Sequence, residues 1–145
     1  QSRGKVVSEF TGIMTAQAKP HLLDGGPIGS MARACFKRAL QWKGLTLRIM
    51  LRAAKDRDIV SSACNDFLMY AGYVMMGHFW LQQALVAQEK LKTGGKESPE
   101  FYKAKIQTAE FYFERLLPRA DAHKKSMLAP TSSVMQMDNE HFMFS

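Results

Sequence analysis

Hydrophobic residues recur along most of the chain with the spacing of an α-helix, and the alternation that is typical of β-strands is missing. Turn-forming glycines and prolines are confined to a few short segments. These periods predict an all-α protein, an up-and-down four-helix bundle with an apolar C-terminal tail. The predicted helices cover approximately residues 3–18, 28–55, 59–92 and 99–127, so the bundle occupies residues 1–127 and the tail residues 128–145.

The second predicted helix has two apolar faces. At about 100° per residue, its inner face is formed by Met31, Cys35, Ala39, Trp42, Thr46, Ile49 and Ala53. A second apolar group lies away from that face and consists of Phe36, Leu40, Leu47 and Leu51. A helix with two apolar faces usually packs on two bodies. We therefore expect a neighbour beyond the bundle itself.

The third predicted helix is apolar almost all round at its centre, which reads FLMYAGYVMMGHFWL. This run is too short for a membrane span and suits a helix buried inside a bundle. Gly72 and Gly77 lower the helix propensity, so we expect another helix to approach closely at these two positions. Asp58 is the predicted N-cap of this helix, because its side chain is suited to accept a hydrogen bond from the first turn.

The fourth predicted helix has clear start and kink signals. Ser98 is the predicted N-cap, and Pro99 and Glu100 follow it in the first turn, where proline and an acid are favoured. Pro118 falls inside the apolar pattern of this helix. Since proline has no backbone N–H to donate, it is expected to kink the helix after about Glu114.

The net charge of +7 is concentrated in one segment of the chain. Eight basic residues and a single acid lie between Met31 and Arg57, while the remainder of the chain has twelve residues of each sign. Five of the basic residues fall on one side of the second helix and form a basic stripe, which consists of Arg33, Lys37, Arg48, Arg52 and Lys55. This stripe is the strongest functional candidate in the sequence, as a possible interface or anion contact.

The stripe has two readings, a solvated helix face or a contact with an anionic surface. The anionic surface would be an acidic domain, a phosphate-bearing ligand, nucleic acid or a membrane. Nucleic acid is the least favoured, because the aromatic residues lie in apolar seams and are not interleaved with the basic ones. A membrane-surface helix would leave the third helix without cover. The longest apolar run, at the centre of the third helix, has fifteen residues and is shorter than the roughly 20 that a membrane span needs, so no span is expected.

Residues that could carry chemistry are scattered. Cys35 and Cys64 lie in apolar surroundings without CxxC spacing, which favours reduced core cysteines in a cytoplasmic protein over a disulfide or reactive thiol. No metal site is predicted, because the histidines have no ligand spacing. The GGPIGS segment does not follow a strand, which disfavours a phosphate loop. His78 is predicted to be a core histidine. A free-standing enzyme that uses His78 or His123 would require an acid beside it in an open pocket.

The C-terminal tail is rich in large apolar residues but too short to fold alone. We predict that it docks on another surface, through Met135, Met137, Phe142 and Phe144. The N-terminus has no signal-peptide pattern and no starting methionine. The missing methionine favours an engineered piece, a processed product or a fragment of a larger chain over a complete reading frame.

Two long segments, FYKAKIQTAEFYFERLLPRADAH and FLMYAGYVMMGHFWLQQALVAQ, and the ending MDNEHFMF carry a family resemblance. Together they resemble the extra C-terminal domain of long acyl-CoA dehydrogenases, in particular the subgroup similar to 3-methylmercaptopropionyl-CoA dehydrogenase. The resemblance covers most of the chain from about Arg3. The positions that match the family pattern are Phe101, Tyr102, Lys105, Thr108, Ala109, Phe111, Leu116, Leu117 and Pro118.

The resemblance implies a parent enzyme that uses FAD to oxidise an acyl-CoA thioester to its 2,3-enoyl-CoA. In such enzymes a glutamate removes the α-proton and the flavin accepts the hydride. No residue of this chain matches the family's catalytic base or flavin-binding segments, so none is assigned as catalytic or cofactor-binding. The implied role is that of an appended helical domain that packs on the catalytic body and supports a homodimer. The alternative is an independent helical module that binds an anionic partner through the basic stripe.

Overall fold

The computed structural model describes residues 2–142, and these residues contain helices and turns but no β-strand. Five helices of eight residues or more are joined by short connections. The α-helices are α1 (Ser2–Ala18), α2 (Gly26–Ala53), α3 (Asp58–Thr93), α4 (Pro99–Phe111), α5 (Ala120–Met127) and α6 (Ser132–Met135). The all-α bundle predicted from the sequence is confirmed.

Helix α3 is the centre of the bundle, because α2, α4 and α5 all pack on it, and α1 packs mainly on α2. Two apolar clusters fill the interior. The first lies around Trp42 and Tyr70, and the second around Met31 and Leu81. On α2, the predicted inner face supplies the buried side chains Met31, Cys35, Ala39, Trp42 and Thr46. The helical period therefore predicted correctly which side of α2 faces the core.

Pro118 divides the predicted fourth helix into α4 and α5. After Phe111 the backbone widens into a π-helical turn at Tyr112–Leu116 and then tightens into a 3-10 turn at Leu117–Arg119. The missing N–H of Pro118 leaves the carbonyl of Glu114 without its helical partner, which is the expected cause of the break. The Tyr112 hydroxyl donates a 2.7 Å hydrogen bond to the carbonyl of Tyr73, which holds the widened turn against α3.

The two predicted N-caps have different outcomes. Ser98 has an extended backbone and its hydroxyl accepts a hydrogen bond from the amide of Phe101, so it caps α4 as predicted. The prediction that Asp58 caps α3 is wrong, since Asp58 is the first helical residue. Its own amide donates a 3.0 Å hydrogen bond to the carboxylate of Asp56, which therefore takes the role of the acceptor at this end of α3.

The prediction that α3 is buried all round is wrong for one side of the helix. Gly77 is buried, and a methyl group at this position would lie 3.7–3.8 Å from the side chains of Leu117 and Phe113. Here a neighbouring element does approach the helix closely. Gly72 is exposed and has no atom within 4 Å of the place where a side chain would begin. The outer side of α3 thus has no neighbour in the described chain.

The two cysteines also differ in environment. Cys35 is a buried core residue, and burial raises the pKa of its thiol to about 12. This thiol therefore stays protonated at neutral pH and is a poor nucleophile. The prediction of a core position is wrong for Cys64, which is exposed on the outer side of α3. Hydrophobic neighbours in sequence did not imply burial here, because successive residues of a helix point in different directions.

Candidate functional site

An apolar surface faces outward from α2 and is called here the α2 face. It consists of Leu40, Leu47, Met50 and Leu51, whose exposed fractions are 53, 58, 49 and 63%. Three of these belong to the second apolar group predicted from the sequence. The fourth predicted member, Phe36, packs against the core cluster around Met31 instead. Beyond that exception, the second group faces outward, as its separation from the inner face predicted.

A groove of about 470 Å³ runs along the α2 face where α1 crosses it. Its floor is mostly apolar, and the sulfur of Met50 lies 3.0 Å from the position that a side chain would take at Gly4. One basic side chain lines it, that of Lys43. The groove is open enough to accept apolar side chains from a neighbouring surface. Leu40 and Leu47 of the α2 face also line the groove, so the groove and the α2 face form one continuous apolar surface.

The predicted basic stripe is only partly available for binding. Arg33 donates hydrogen bonds of 2.9 and 3.2 Å to the carbonyls of Leu22 and Asp24, so it holds the turn before α2. Arg52 donates a 3.0 Å hydrogen bond to the carbonyl of Leu128 and ties down the start of the tail. The remaining three members are exposed, and none has an ion pair within residues 2–142, namely Lys37, Arg48 and Lys55.

Arg38 makes the tightest ion pair of this segment, although it was not part of the predicted stripe. Its guanidinium donates to both carboxylate oxygens of Asp121 on α5, at 2.6 and 3.0 Å. This bidentate contact holds the pKa of Asp121 below its usual value. A third hydrogen bond runs to the side-chain oxygen of Gln41, which also accepts from Tyr70. The network fastens α2 to α5 and α3 and has a structural role.

A second apolar surface lies on the outer side of α3 and is called here the α3 face. Its large side chains are between 40 and 69% exposed. At 100° per residue they fall within about a third of the helix circumference, together with Gly72. The members are Leu68, Met69, Met76, Phe79 and Val86. Between Asp66 and Glu89 the sequence of α3 contains no acidic or basic residue except His78, so this face is uncharged.

His78 is a core histidine, as the sequence predicted. It is 5% exposed, and the amide nitrogen of Gln17 lies 3.2 Å from its Nδ1 atom and 3.1 Å from its carbonyl oxygen. Phe10 packs edge-on against the ring. Burial lowers the pKa of His78, because the charged form would lose its hydration. A neutral, enclosed imidazole of this kind joins α1 to α3.

His123 has the acid neighbour that the sequence alone did not reveal. Its Nδ1 atom lies 2.8 Å from a carboxylate oxygen of Asp66, and its ring stacks on Tyr73. The pair links α5 to α3 across 57 positions of sequence, so no local motif could have indicated it. None of the three grooves described in the structure is lined by either residue. The geometry is that of an interhelical contact and gives no support to a free-standing enzyme.

The tail leaves the bundle through a polar anchor at the junction of α2 and α3. The hydroxyl of Thr131 donates a 2.8 Å hydrogen bond to the carboxylate of Asp56. Met135 and Met137 are 57 and 56% exposed, so they pack on little in the described chain. Phe144 and the side chain of Phe142 lie outside the described residues. Docking of the tail remains a prediction.

Residues 2–142 contain neither a cluster of metal ligands nor a membrane-spanning helix. No three side chains of His, Cys, Asp or Glu gather closely enough there to hold a metal ion. A membrane span would need a longer apolar run than any helix of this part of the chain provides. The surfaces that stand out are therefore the α2 face, with its basic surroundings, and the uncharged α3 face.

A family model described as "Acetyl-CoA dehydrogenase C-terminal like" matches residues 8–138. The chain belongs to this family. The match covers α1 from Ser8 onward, all of α2 to α5, and the tail as far as Asp138. It confirms the resemblance to the C-terminal domain of acyl-CoA dehydrogenases. The 3-methylmercaptopropionyl-CoA subgroup remains a prediction.

A curated relative supports the same family. The chain is 33% identical over 92 residues to a protein named butyryl-CoA dehydrogenase from Syntrophomonas wolfei subsp. wolfei (strain DSM 2245B / Goettingen). The aligned part is 62% of this chain but 15% of the relative, so the similarity concerns a small part of that protein's length. Among solved structures there is no match.

The family's sequence pattern has a structural explanation in this acyl-CoA dehydrogenase C-terminal-like domain. Ala109 is fully buried, Leu117 packs over Gly77, and Pro118 ends the widened turn. The ammonium group of Lys105 lies 5.4 Å from the ring centre of Phe101 on the surface. These positions shape the junction of α4 and α5 with α3. They do not form an active site.

One segment of this domain does not fit the pyrophosphate of a flavin dinucleotide. The segment that most resembles a phosphate loop, at the start of α2, is filled by its own backbone. A side chain at Gly29 would collide with the carbonyl oxygen of Asp24, and the carboxylate of Asp24 pairs with His21 at 2.8 Å. An anionic group next to a closed turn is a poor place for a pyrophosphate.

Proposed function

We propose that this chain is the appended C-terminal helical domain of an FAD-dependent acyl-CoA dehydrogenase. The domain packs on the catalytic body and supports a homodimer, and it contributes no catalytic residue. The parent enzyme oxidises an acyl-CoA thioester to its 2,3-enoyl-CoA and acts in cytoplasmic fatty acid metabolism. The family match over residues 8–138 carries the proposal. The short share of the relative's length that the chain covers supports a role as one part of a larger enzyme.

The α2 face is the surface proposed to meet the catalytic body. Four large apolar side chains are about half exposed along it, and the groove beside α1 extends the same surface. Burying a leucine or methionine side chain fully is worth about 1.5–3 kcal/mol. A continuous surface of this kind is costly to leave in water and marks an interaction site. The sequence pattern predicted that α2 packs on the bundle and on a second body. The catalytic body is the proposed second one.

The charges around the α2 face indicate the character of the surface it meets. Lys43 lines the groove, Lys37 and Arg48 lie exposed along the same helix, and Lys55 lies exposed in the turn after it. No acidic residue is present on α2 to balance them. A partner surface with an apolar centre and acidic residues around it would match in both shape and charge. We therefore assign an acidic rim to the region of the catalytic body that receives this domain.

The contact can be tested in the full-length natural protein with Leu47→Glu. A glutamate in the apolar centre of the contact would lose hydration, and the acidic rim proposed for the body would repel it, so the domain should separate from the body. Limited trypsin digestion would then release the domain faster than from the unmodified protein. The matched control is Leu23→Glu, because Leu23 is 99% exposed in the turn before α2. Equal digestion rates for both variants and the unmodified protein would contradict the proposed contact.

The enzymatic part of the proposal is tested separately by the absorbance of the same full-length protein. It should show the bands of bound flavin, and one member of a panel of acyl-CoA thioesters should bleach them by reducing the flavin. The butyryl-CoA of the relative's name is the first compound to try. A protein without flavin bands would contradict the assignment to an oxidising parent enzyme. This test does not depend on how the domain is docked.

A second candidate function is an independent helical module that binds an anionic partner. It is favoured by the three exposed basic residues of the stripe, Lys37, Arg48 and Lys55, which have no ion pair within residues 2–142. Such a module would act without a flavoenzyme body. A start codon directly upstream of this sequence in the gene would support this second function, whereas a preceding flavoenzyme body would support the first.

A further inference from the structure

The α3 face is a surface that the proposed contact with the catalytic body does not use. It extends from Leu68 to Val86, which corresponds to about 27 Å at 1.5 Å per residue. Its five large side chains are exposed by 69, 40, 48, 42 and 54% in sequence order. The adjoining groove between α3 and α4 has a volume of about 320 Å³ and is lined by the apolar side chains of Val86 and Phe101 and by the polar ones of Gln82, Gln83 and Lys105. The uncharged surface therefore ends at Lys105, on the α4 side of this groove.

Gly72 lies within this face and has no role in the fold of the described chain. A glycine inside a helix costs about 1 kcal/mol relative to alanine. Gly77 is explained by its contact with Leu117, but a side chain at Gly72 would meet no atom within 4 Å. A glycine on an exposed helix surface is useful where the backbone of another helix comes close. Gly12 in α1 and Gly44 in α2 are equally open, so Gly72 marks a place where another helix backbone can come close but does not by itself identify that helix.

Charge distinguishes the occupant of the α3 face from that of the α2 face. In an isologous interface the same patch meets itself, so a charge near the two-fold axis faces a like charge. The α2 face lies beside Lys43 and Arg48, and pairing it with itself would bring these positive groups together. The α3 face has no acidic or basic residue from Phe67 to Gln88 apart from the buried His78. It is the apolar face that can meet its own copy without repulsion.

We infer that the α3 faces of two copies of this chain pack against each other, antiparallel, with the two-fold axis at Gly72. This arrangement places Leu68 of each copy opposite Met76 of the other, because both lie four residues from the axis. This pairing would form part of the homodimer interface of the proposed function, and the inference rests on that proposal. The second copy is the occupant that the absence of charge on this face favours.

The size of the face indicates how the pairing contributes to assembly. With the axis at Gly72, residue 86 of one copy lies opposite residue 58 of the other, so the two faces overlap from residue 68 to residue 76. A helix is about 10–12 Å wide with its side chains, so this overlap, about 12 Å long, offers roughly 130 Å². Stable interfaces bury about 800 Å² on each partner. The α3 pairing is therefore one contact within a larger assembly and has to be tested in the full-length natural protein.

The test uses a cysteine at the proposed axis. Two helices that pack at a glycine bring their backbones within the 4.4–6.8 Å between Cα atoms that a disulfide requires. Gly72→Cys, in a protein with Cys64→Ser, should form a reducible covalent dimer on mild oxidation. The matched control is Lys96→Cys, at an exposed position in the turn after α3. Cross-linking at residue 72 should be on the order of 100-fold faster than at residue 96, since pairing raises the effective thiol concentration to about millimolar.

Equal cross-linking rates at residues 72 and 96 would overturn the inference. Met76→Asp provides a second readout in which Gly72 is kept, and it should weaken the dimer in sedimentation at least tenfold. An unchanged dimer with faster release of the domain by trypsin would show that the catalytic body covers the α3 face, and would also overturn the inference. Neither readout requires flavin. The proposed function can therefore fail in the absorbance test while the pairing of α3 still stands.

Discussion

The outward faces of α2 and α3 are similar in apolar character and different in charge. Each presents four or five large apolar side chains that are between 40 and 69% exposed. The α2 face is bordered by Lys43 and Arg48 on a helix without acidic residues, whereas the α3 face has no charge over six turns. The difference indicates two kinds of neighbour. A charged border suits a complementary surface of another kind, and an uncharged face suits a copy of itself.

Pairs of like residues within each helix also differ in whether this chain supplies their contacts. Within α3, Gly77 is enclosed by side chains of the π-helical and 3-10 turns, and Gly72 faces open space. Within α2, Arg38 is bound to Asp121 and Arg48 has no such contact in the part of the chain that the structure describes. In each pair one residue is explained by the fold of this chain. The other is left exposed by the fold, and each pair can be examined by matched substitutions.

The largest expected difference concerns the two glycines. Gly77→Leu should destabilise the chain by about 1–3 kcal/mol, because a large side chain would overpack the contact with Leu117 and Phe113. Gly72→Leu should be neutral or stabilise the chain by up to about 1 kcal/mol, since the new side chain meets nothing and helix propensity improves. Urea unfolding of the two variants gives both values. Equal losses of stability would show that Gly72 is also part of the core.

The next difference concerns the arginines of α2. Arg38→Gln should reduce the free energy of unfolding by about 1 kcal/mol, because a bidentate ion pair with an arginine side chain only 12% exposed is lost. Arg48→Gln should change it by less than about 0.5 kcal/mol, as expected for a surface position. Thermal unfolding of both variants provides the comparison. A loss at Arg48 as large as that at Arg38 would reveal an internal role for the exposed part of the stripe.

The exposed charges should matter more for association than for stability. In the full-length protein, replacing Lys37, Arg48 and Lys55 by glutamine should raise the Michaelis constant for acyl-CoA and reduce its dependence on salt, if these charges attract the CoA phosphates. Arg33 and Arg52 are left unchanged, since they bind backbone carbonyls. Initial rates at low and high ionic strength measure both quantities. An unchanged constant with unchanged salt dependence would assign the stripe to docking alone.

The smallest effect is a pH dependence at His78, which lies behind the α3 face. Burial lowers its pKa in the folded chain from the usual 6.5, so the unfolded chain binds its proton first as pH falls. The stability that the neutral, buried His78 contributes is therefore fully present above pH 6.5 and is lost progressively as the pH falls below it. His78→Gln should make the unfolding free energy less dependent on pH in that window. An identical slope in both proteins would show that His78 is solvated.

The sequence predicted what depends on local periodicity. The inner face of α2, the Ser98 cap and the break caused by Pro118 follow from spacing and backbone chemistry within a few residues. The second apolar group of α2 was also visible, because it lies on a different side of the same helix. These features are set by the chain itself and need no knowledge of distant contacts.

The sequence could not reveal contacts between distant positions. Asp121 lies 83 positions from Arg38, and His123 lies 57 positions from Asp66, so neither pair forms a motif. Apolar composition also suggested a buried α3, although periodicity does not tell which body covers a face. For the same reason the α3 face appeared only once the positions of α2, α4 and α5 were known. At the start of α3, Asp56 and Asp58 were both close enough in sequence to accept a hydrogen bond from a backbone amide of the first turn. The structure shows that Asp56 is the acceptor.

Oxidation of methionines by peroxide tests the different neighbours of the two faces most directly. Met50 on the α2 face and Met76 on the α3 face are 49 and 48% exposed, and Met31 in the core is 2% exposed. Oxidation converts an accessible methionine to its sulfoxide, which mass spectrometry locates. In the full-length protein, Met50 should be as slow as Met31 at every protein concentration, and Met76 should become fast when dilution separates the dimer. Fast oxidation of Met50 in the undiluted protein, or slow oxidation of Met76 in the separated monomer, would contradict the assignment of a different neighbour to each face.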